Sequence, residues 1–427
     1  MVTRRTFFSV AGGAVAASLG GIVVKDQLDG QAQQSRLRSL AGKVGALHGP
    51  GMATEEEFQK IVRCGTRILH VSGRGSDSNP GTERAPFREI NAAVHHASPG
   101  DLILVGSGVY GYTEVSGFHG SPDAWLGIMA RSDQAHAVIS VPPPTDNFLN
   151  ITNSSYIGLY GFEVVGDQNN SNTNCSGVSI HGGSHHIVLW NNHVHDFPGG
   201  GINCFDVGGS HDLVDISYNK IHGTSRYSPE NTSGISIYAG QDLTGGELLP
   251  GGYGYRVVGN YVFDVECLVE FRRGGFNYVT DGNGISLDLI ERTHGYRKPI
   301  LVENNIITGC GGRAVHAFGT VNTEVVRNTA VGNMRTSSPA ISGGAEMNGT
   351  VDDSVRFVRN VICPLNTPSS TDAVSKYEDN VILGGSQSVP PGNIDMRALG
   401  MSYFAGPLTT AELIGGTDPS AFRAADS

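Results

Sequence analysis

Between Gly177 and Gly344 the chain repeats short runs in which apolar and polar positions alternate. They read Gly177-Val-Ser-Ile-His181, Gly201-Ile-Asn-Cys-Phe205, Gly234-Ile-Ser-Ile-Tyr238, Gly284-Ile-Ser-Leu-Asp288, Ala314-Val-His-Ala-Phe318 and Ala340-Ile-Ser-Gly-Gly344. Period-two alternation predicts strands with one buried face. A small residue starts each run, and apolar residues recur at the second and fourth places. The first, third and fifth residues then lie on the other face.

A second mark recurs in step with these runs. Asn192, Asn219, Asn260, Asn305, Asn328, Asn360 and Asn380 each lead a short β-branched run, spaced 27, 41, 45, 23, 32 and 20 residues apart. A unit of 20–27 residues holding about three short strands is the period of a parallel β-solenoid. Identical inward positions would stack at the strand spacing of about 4.8 Å. The Asn is expected at a turn, where it tolerates the left-handed region and its amide bonds the next coil's Asn. The stacking register weighs against a β-sandwich. The fold class expected is therefore all-β, a solenoid.

The front of the chain adds handedness. His70-Val-Ser-Gly-Arg-Gly-Ser-Asp77, Asn79-Pro-Gly-Thr82, Pro86-Phe87, Pro99-Gly-Asp101 and Gly108-Val-Tyr110 resemble the opening of secreted pectate-lyase-like proteins. The match covers about residues 69–115, and the later coils match in repeat style. The resemblance implies a right-handed parallel β-helix and, as an expectation, a carbohydrate-active enzyme. Phe87, Ile90, Val94 and Ala97 share one helical face, which predicts a short N-terminal capping helix over the solenoid's open edge.

Composition agrees with this reading. The chain has 427 residues, 60 of them Gly, without a collagen period, and 39% are apolar. Net charge is −11, which disfavours a nucleic-acid partner. Thr3-Arg4-Arg5-Thr6-Phe7-Phe8 and the Gly/Ala/Val stretch to Val24 resemble a twin-arginine export signal, a receptor-read address rather than an anchor. Secretion or a periplasmic location follows, with no membrane association after processing. The expected organisation is a signal over 1–30, a linker with a short helix (Glu55–Val62) over 31–67, a catalytic β-helix over 68–390 and an extension over 391–427. The six cysteines lack C-x-x-C spacing, so a zinc site is not expected of them; the twin-arginine resemblance implies folding before export in a reducing cytoplasm, so structural disulfides are less expected than export alone would suggest. His185-His186 and His193-x-His195 have metal-ligand spacing, but no carboxylate obviously shares their faces.

The 41- and 45-residue spacings each carry about 20 residues beyond a uniform coil. Long excursions on a rigid scaffold are where function concentrates. These are Ser225–Asn231 with Gln241–Tyr255, and Cys267–Thr280 with Ile290–Lys298. They converge on the strands near 234–240, 284–290 and 314–320. One outward column there reads Ser179, Asn203, Ser236, Ser286, His316, Ser342; the other reads His181, Phe205, Tyr238, Asp288, Phe318, Gly344. Asp is depleted in strand interiors, so Asp288 stands out, with Asp281, Arg313 and His316 as further catalytic candidates. Tyr238, Phe318, Phe205, Arg272 and Arg273 are the candidate substrate contacts. Residues 267–316 hold six cationic and five acidic side chains, a bias suited to carboxylates.

Three functions are open. The first is a polysaccharide lyase acting by β-elimination on a uronate polymer such as pectate or alginate. There the resemblance implies Ca²⁺, for which Asp281, Asp288 and Asp206 would be oxygen ligands, and Arg313 or His316 would be the base. The second is a glycoside hydrolase using two carboxyls, Asp288 with Asp281 or Glu270. The third is a non-catalytic glycan-binding β-helix. The partner in each case is a polysaccharide.

Overall fold

The computed structural model describes residues 67–131, 137–141, 147–342, 344–349, 354–364, 375–382 and 389–395, with Phe58, Val62, Arg63 and Cys64 ahead of them. The twin-arginine segment, nearly all of the linker and all but the first five residues of the extension lie outside this set. Three sheets of 11, 8 and 11 strands run the length of the molecule, and every strand pairs in parallel with its counterpart one coil away. The fold is a right-handed parallel β-helix. The first sheet begins with Ile68–Val71, the second with Thr113–Ser116 and the third with Gly108–Tyr110.

The alternation seen in the sequence is what closes the coil. In the second sheet Val178, Ile202, Ile235, Ile285, Val315 and Met347 stack in register, as do Ile180, Cys204, Ile237, Leu287 and Ala317. All of them are buried in one continuous apolar core. The glycines that start these strands are required by close approach. A Cβ at Gly201, Gly234 or Gly284 would stand 2.5–2.9 Å from a carbonyl oxygen of the next coil. Only glycine lets the coils close to this distance.

Beside this core runs a ladder of buried amides. Asn192, Asn219, Asn260, Asn305, Asn328, Asn360 and Asn380 each donate both the backbone N–H and the Nδ2 amide to Oδ1 of the next rung, at 2.8–3.1 Å. The eighth rung is Asn393. Each Nδ2 also reaches a main-chain carbonyl of the preceding coil, as Asn305 does to Val257 at 2.8 Å. The expected left-handed turn is present, but one residue earlier. Asn191, Tyr218, Gly259, Asn304, Arg327, Arg359 and Asp379 carry the positive φ. The ladder Asn keeps an extended-type backbone so that its side chain turns inward.

Another expectation is corrected. Residues Ala340–Gly344 are not a strand. Ser342 and Gly344 donate backbone bonds to Ser338 and Ile341, and Ile341 packs with Cys267, Val279 and Met334. Met347–Gly349 takes the place in the sheet, so Asn348 rather than Ser342 stands next to His316. The repeat was matched there by composition, whereas the paired strand lies six residues further on in register.

At the front, the helix Ile90–His96 buries Ile90 and Ala93, with Val94 and Ala97 at the margin of the core. Asp77 accepts the backbone N–H groups of Arg88 and Glu89, each at 2.9 Å, just ahead of it. Phe58 and Val62 lie on the outer face of the first sheet, in space left by Gly127 and Gly158. The six cysteines are free thiols. Among the described residues no helix is long and apolar enough to cross a membrane.

The ladder makes a graded prediction. Asn305→Ala removes the acceptor of two buried donors on Asn260, and each such loss costs about 1–3 kcal/mol. Chemical denaturation should show a loss of roughly 3–5 kcal/mol. Asn393→Ala, at the half-buried end of the row, should cost about 1 kcal/mol. Equal losses at both positions would show that the ladder does not act as a buried unit.

Candidate active site

The outward face of the second sheet carries a cleft of about 700 Å³. Its floor is Asn203, Ser236 and Ser286 of the outward column, with Ser176 beside them from the start of the Ser176–His181 strand. Its rim brings in Phe205, Asp206, Tyr238 and Asp288 from the strand ends, Glu230 from the first excursion and Phe271 from the second. Asp281 closes it from the turn before Ile285–Asp288. Short hydroxyl and amide side chains on the floor leave room for a chain-like ligand, while the aromatic rings offer flat faces.

Asp288 stands outward at the end of its strand, with Tyr238 paired on one side and Phe318 on the other. Its Oδ1 is buried without a hydrogen-bond partner. That burial, reinforced by the charge of Asp281, pushes its carboxyl up to about 7. Asp281 is treated differently by its surroundings. Burial lifts it as well, but Thr280 Oγ1 donates to it at 2.8 Å, Asn283 Nδ2 at 2.7 Å, and Arg313 opposes the lift electrostatically. Burial therefore raises both carboxyls, Asp288 up to about 7, while hydrogen bonds and the Arg313 charge oppose the rise only at Asp281. Unequal surroundings of this kind can divide acid and base roles between two carboxyls.

Arg313 and His316 adjoin the pair from the next coil without lining the cleft. Arg313 is 7% exposed, donates to the Ala340 carbonyl at 2.6 Å and sends its field toward Asp281. Its backbone N–H is held by Asn283 Oδ1 at 2.8 Å. His316 Nδ1 meets Asn348 Oδ1 at 2.7 Å. Burial, helped by the Arg313 charge, pushes its imidazole down to about 3. It is neutral over the working range and does not offer a cation.

The cationic surroundings expected from residues 267–316 are not in the cleft. Arg272 is exposed and pairs with Glu270 at 2.8 Å; the Arg273 side chain lies outside the described residues. Arg297 pairs with Glu291, and Arg292 covers the Phe318 ring at 5.3 Å. Lys298 is buried against Asp212 at 2.7 Å and Asp242 at 2.8 Å. Among the described residues the lining contains four carboxyl residues, Asp206, Glu230, Asp281 and Asp288, and no Lys, Arg or His. The described cationic side chains of this stretch are paired or turned away from the cleft.

The oxygen ligands expected for Ca²⁺ do not form one set. Asp206 is engaged by His294 at 2.8 Å, and Asp206, Asp281 and Asp288 do not present three ligand atoms within 4.8 Å of one another. A carboxyl that keeps its proton near neutral pH is also a poor ligand for a hard cation. No step is therefore routed through calcium.

Two of the four excursions wall the cleft. The other two pack on each other behind it. Asp212 lies wholly buried there, accepting from Tyr296 at 2.9 Å and Lys298 at 2.7 Å, while Thr244 Oγ1 donates to it at 3.0 Å. His211 ties the end of the Tyr238 strand to the same cluster, meeting the Tyr238 carbonyl at 2.9 Å and the Tyr255 hydroxyl at 3.0 Å. Glu230 and Phe271 escaped the sequence reading because loop residues have no register. Their place in the excursions was the only signal.

No protein-family model matches the chain. Among curated proteins it is similar to an uncharacterized protein, YwoF, of Bacillus subtilis (strain 168), at 26% identity over 136 residues, 30% of this chain and 28% of that one. The chain thus matches well under two thirds of that relative's length. Among solved structures it is similar to pectate lyase Pel9A, with 18% identity, 77% of this chain and 78% of that chain covered, and a TM-score of 0.45. It is also similar to a GH136 lacto-N-biosidase from Eubacterium ramulus (15%, 77% and 67%, 0.43) and to a rhamnogalacturonan lyase (14%, 74% and 73%, 0.41). These are likenesses of coil architecture; the chemistry rests on the residues above.

Asp288→Asn tests the buried acid directly. A carboxyl raised in the fold keeps its proton from about pH 4 to about 7 while the unfolded chain ionises, so its contribution to stability declines across that window. The amide has no such loss. Thermal melts should show wild type and variant alike near pH 4, and the variant more stable at pH 8 by roughly 2–4 kcal/mol. Equal stability at pH 8 would mean that Asp288 is solvated.

Proposed function

We propose that the cleft hydrolyses glycosidic bonds in an exported polysaccharide of low charge. The observation that carries this reading is the unequal pair: Asp288, whose buried Oδ1 has no partner and whose carboxyl is raised to about 7, beside an Asp281 that is hydrogen-bonded and faced by Arg313. Asp288 donates its proton to the departing glycosidic oxygen. Asp281, as carboxylate, attacks the anomeric carbon or activates water against it, depending on the carboxyl separation. In the first case Asp288 then takes the proton of the water that hydrolyses the glycosyl–Asp281 intermediate; in the second Asp281 takes the water's proton and Asp288 is reprotonated from solvent. Tyr238, Phe205 and Phe271 stack sugar faces, and the Ser/Asn floor bonds ring hydroxyls. The lining presents carboxyls and, among the described residues, no Lys, Arg or His, which favours a neutral chain over a uronate one.

A lyase acting by β-elimination on a uronate polymer is the second reading; the aspartates do not form a calcium set by themselves, so the substrate carboxylates would have to complete one. One assay separates the two. The protein is incubated with neutral glycans, pectate and alginate, with and without EDTA. New reducing ends on a neutral glycan, unaffected by EDTA and without ultraviolet absorbance from an unsaturated uronate, are expected. EDTA-sensitive absorbance on pectate or alginate would instead establish the lyase. Binding without either signal would leave a glycan-binding β-helix.

For the hydrolase, turnover should fall as pH rises through about 7, where Asp288 loses its proton. Asp288→Asn should lower kcat by about 10²–10⁴-fold, and Asp281→Asn by at least as much, with the circular dichroism spectrum unchanged. An active Asp288→Asn variant would remove the residue from the mechanism.

A further inference from the structure

On the neighbouring sheet, away from the cleft, three histidines converge. The strand His193–His195 lies between Glu163–Val165 and Lys220–Thr224, with His195 level with His222. Val194 and Ile221 point into the core at 0% exposure, so the period of two sends His193, His195, Lys220 and His222 outward. His193 Nε2 and His222 Nε2 are 2.8 Å apart. One ring nitrogen from each of the three histidines lies within 4.8 Å of the others. Two nitrogens bound to one ion at about 2.0–2.1 Å stand roughly 3.0–3.4 Å apart, so the pair is already close to that span.

The surroundings are those of a built site. His195 Nδ1 faces Asp196 Oδ2 at 2.8 Å, which directs the other nitrogen, Nε2, toward Glu163 Oε1 at 3.2 Å. Carboxylates placed behind or beside a histidine in this way orient it for metal binding. Asp196 is itself held: Gln168 Nε2 donates to its Oδ1 at 3.3 Å and to the Gly223 carbonyl at 3.1 Å. A Cβ at residue 223 would stand 2.7 Å from that Oδ1, so the glycine keeps the space that the carboxylate occupies. Phe263 stacks on His222 at 4.5 Å and forms an apolar floor. Glu163 and Asp196 outnumber the one nearby cation, Lys220, leaving a net negative charge for a divalent ion.

We propose that His193, His195 and His222 bind one Zn²⁺-class divalent transition ion, with Glu163 beside the donor set and Asp196 orienting His195. Imidazole donors select such ions over Ca²⁺ or Mg²⁺. His195 stacks parallel to His222 at 4.8 Å, so it joins by turning its ring and exchanging the Glu163 contact for the ion. The site is structural. It pins the coil whose next residues, 196–201, lead into the strand bearing Asn203 on the cleft floor, and it is independent of the glycan reading.

The test uses the full chain, freed of metal with EDTA and dialysed, titrated with ZnCl₂ and with CaCl₂ by calorimetry and thermal melts. One equivalent of Zn²⁺ should bind and raise Tm, and Ca²⁺ should do neither. His193→Gln and His222→Gln should each weaken Zn²⁺ binding at least tenfold, whereas His185→Gln, in the other histidine pair, should leave it unchanged. Circular dichroism and metal-free melts of each variant establish that it folds. Zn²⁺ binding that survives both glutamine variants, or no binding to the wild type, would overturn the proposal and leave a stacked imidazole row without a ligand.

Discussion

A coil of polypeptide can stack on another only if the polar groups at its corner find partners, because water cannot reach them. The buried asparagine row solves this by repetition. Each rung gives two donors upward and receives two from below, and its amide holds a carbonyl of the preceding coil. Loss of one rung strands groups on both neighbours. The glycine column sets the complementary condition, since it allows carbonyls to approach where any side chain would collide. Directional bonds and close approach together hold the apolar columns in register, and only then do outward residues acquire fixed places.

The cleft inherits that rigidity. Asp288 cannot turn away, because its backbone is paired on both sides by strands in register. Burial that leaves Oδ1 unpaired, beside a second carboxyl, raises its carboxyl to about 7. The Arg313 field biases the pair without entering the cleft, and the Lys298–Asp212 cluster fixes the connections behind it. The cleft carboxyls are thus held by one coil, tuned by the next and enclosed by loops from two more.

Much of this was legible in the chain. Strand alternation gives the inward columns from Val178 to Leu287 and the outward pairing of Tyr238, Asp288 and Phe318, because period-two geometry leaves no freedom once the register is known. Coil-to-coil spacing exposes the excursions. What escaped depends on contacts rather than period. The left-handed residue precedes each ladder Asn because the side chain, not the main chain, does the bonding. Ala340–Gly344 imitates a strand in composition but folds as a turn around Ile341. Cations between 267 and 316 whose side chains are described are paired or turned away by local partners. The His193, His195 and His222 group draws two carboxylates, Glu163 and Asp196, from separate chain positions, which no single run of sequence displays.

The ladder also holds its 2.8–3.1 Å bonds whether successive rungs are 20 or 45 residues apart. Connection length and lattice geometry are therefore decoupled. A scaffold of this kind can exchange the loops around its groove, and with them the ligand it admits, without renegotiating the packing beneath. Diversification is confined to the corners, and the shaft stays constant.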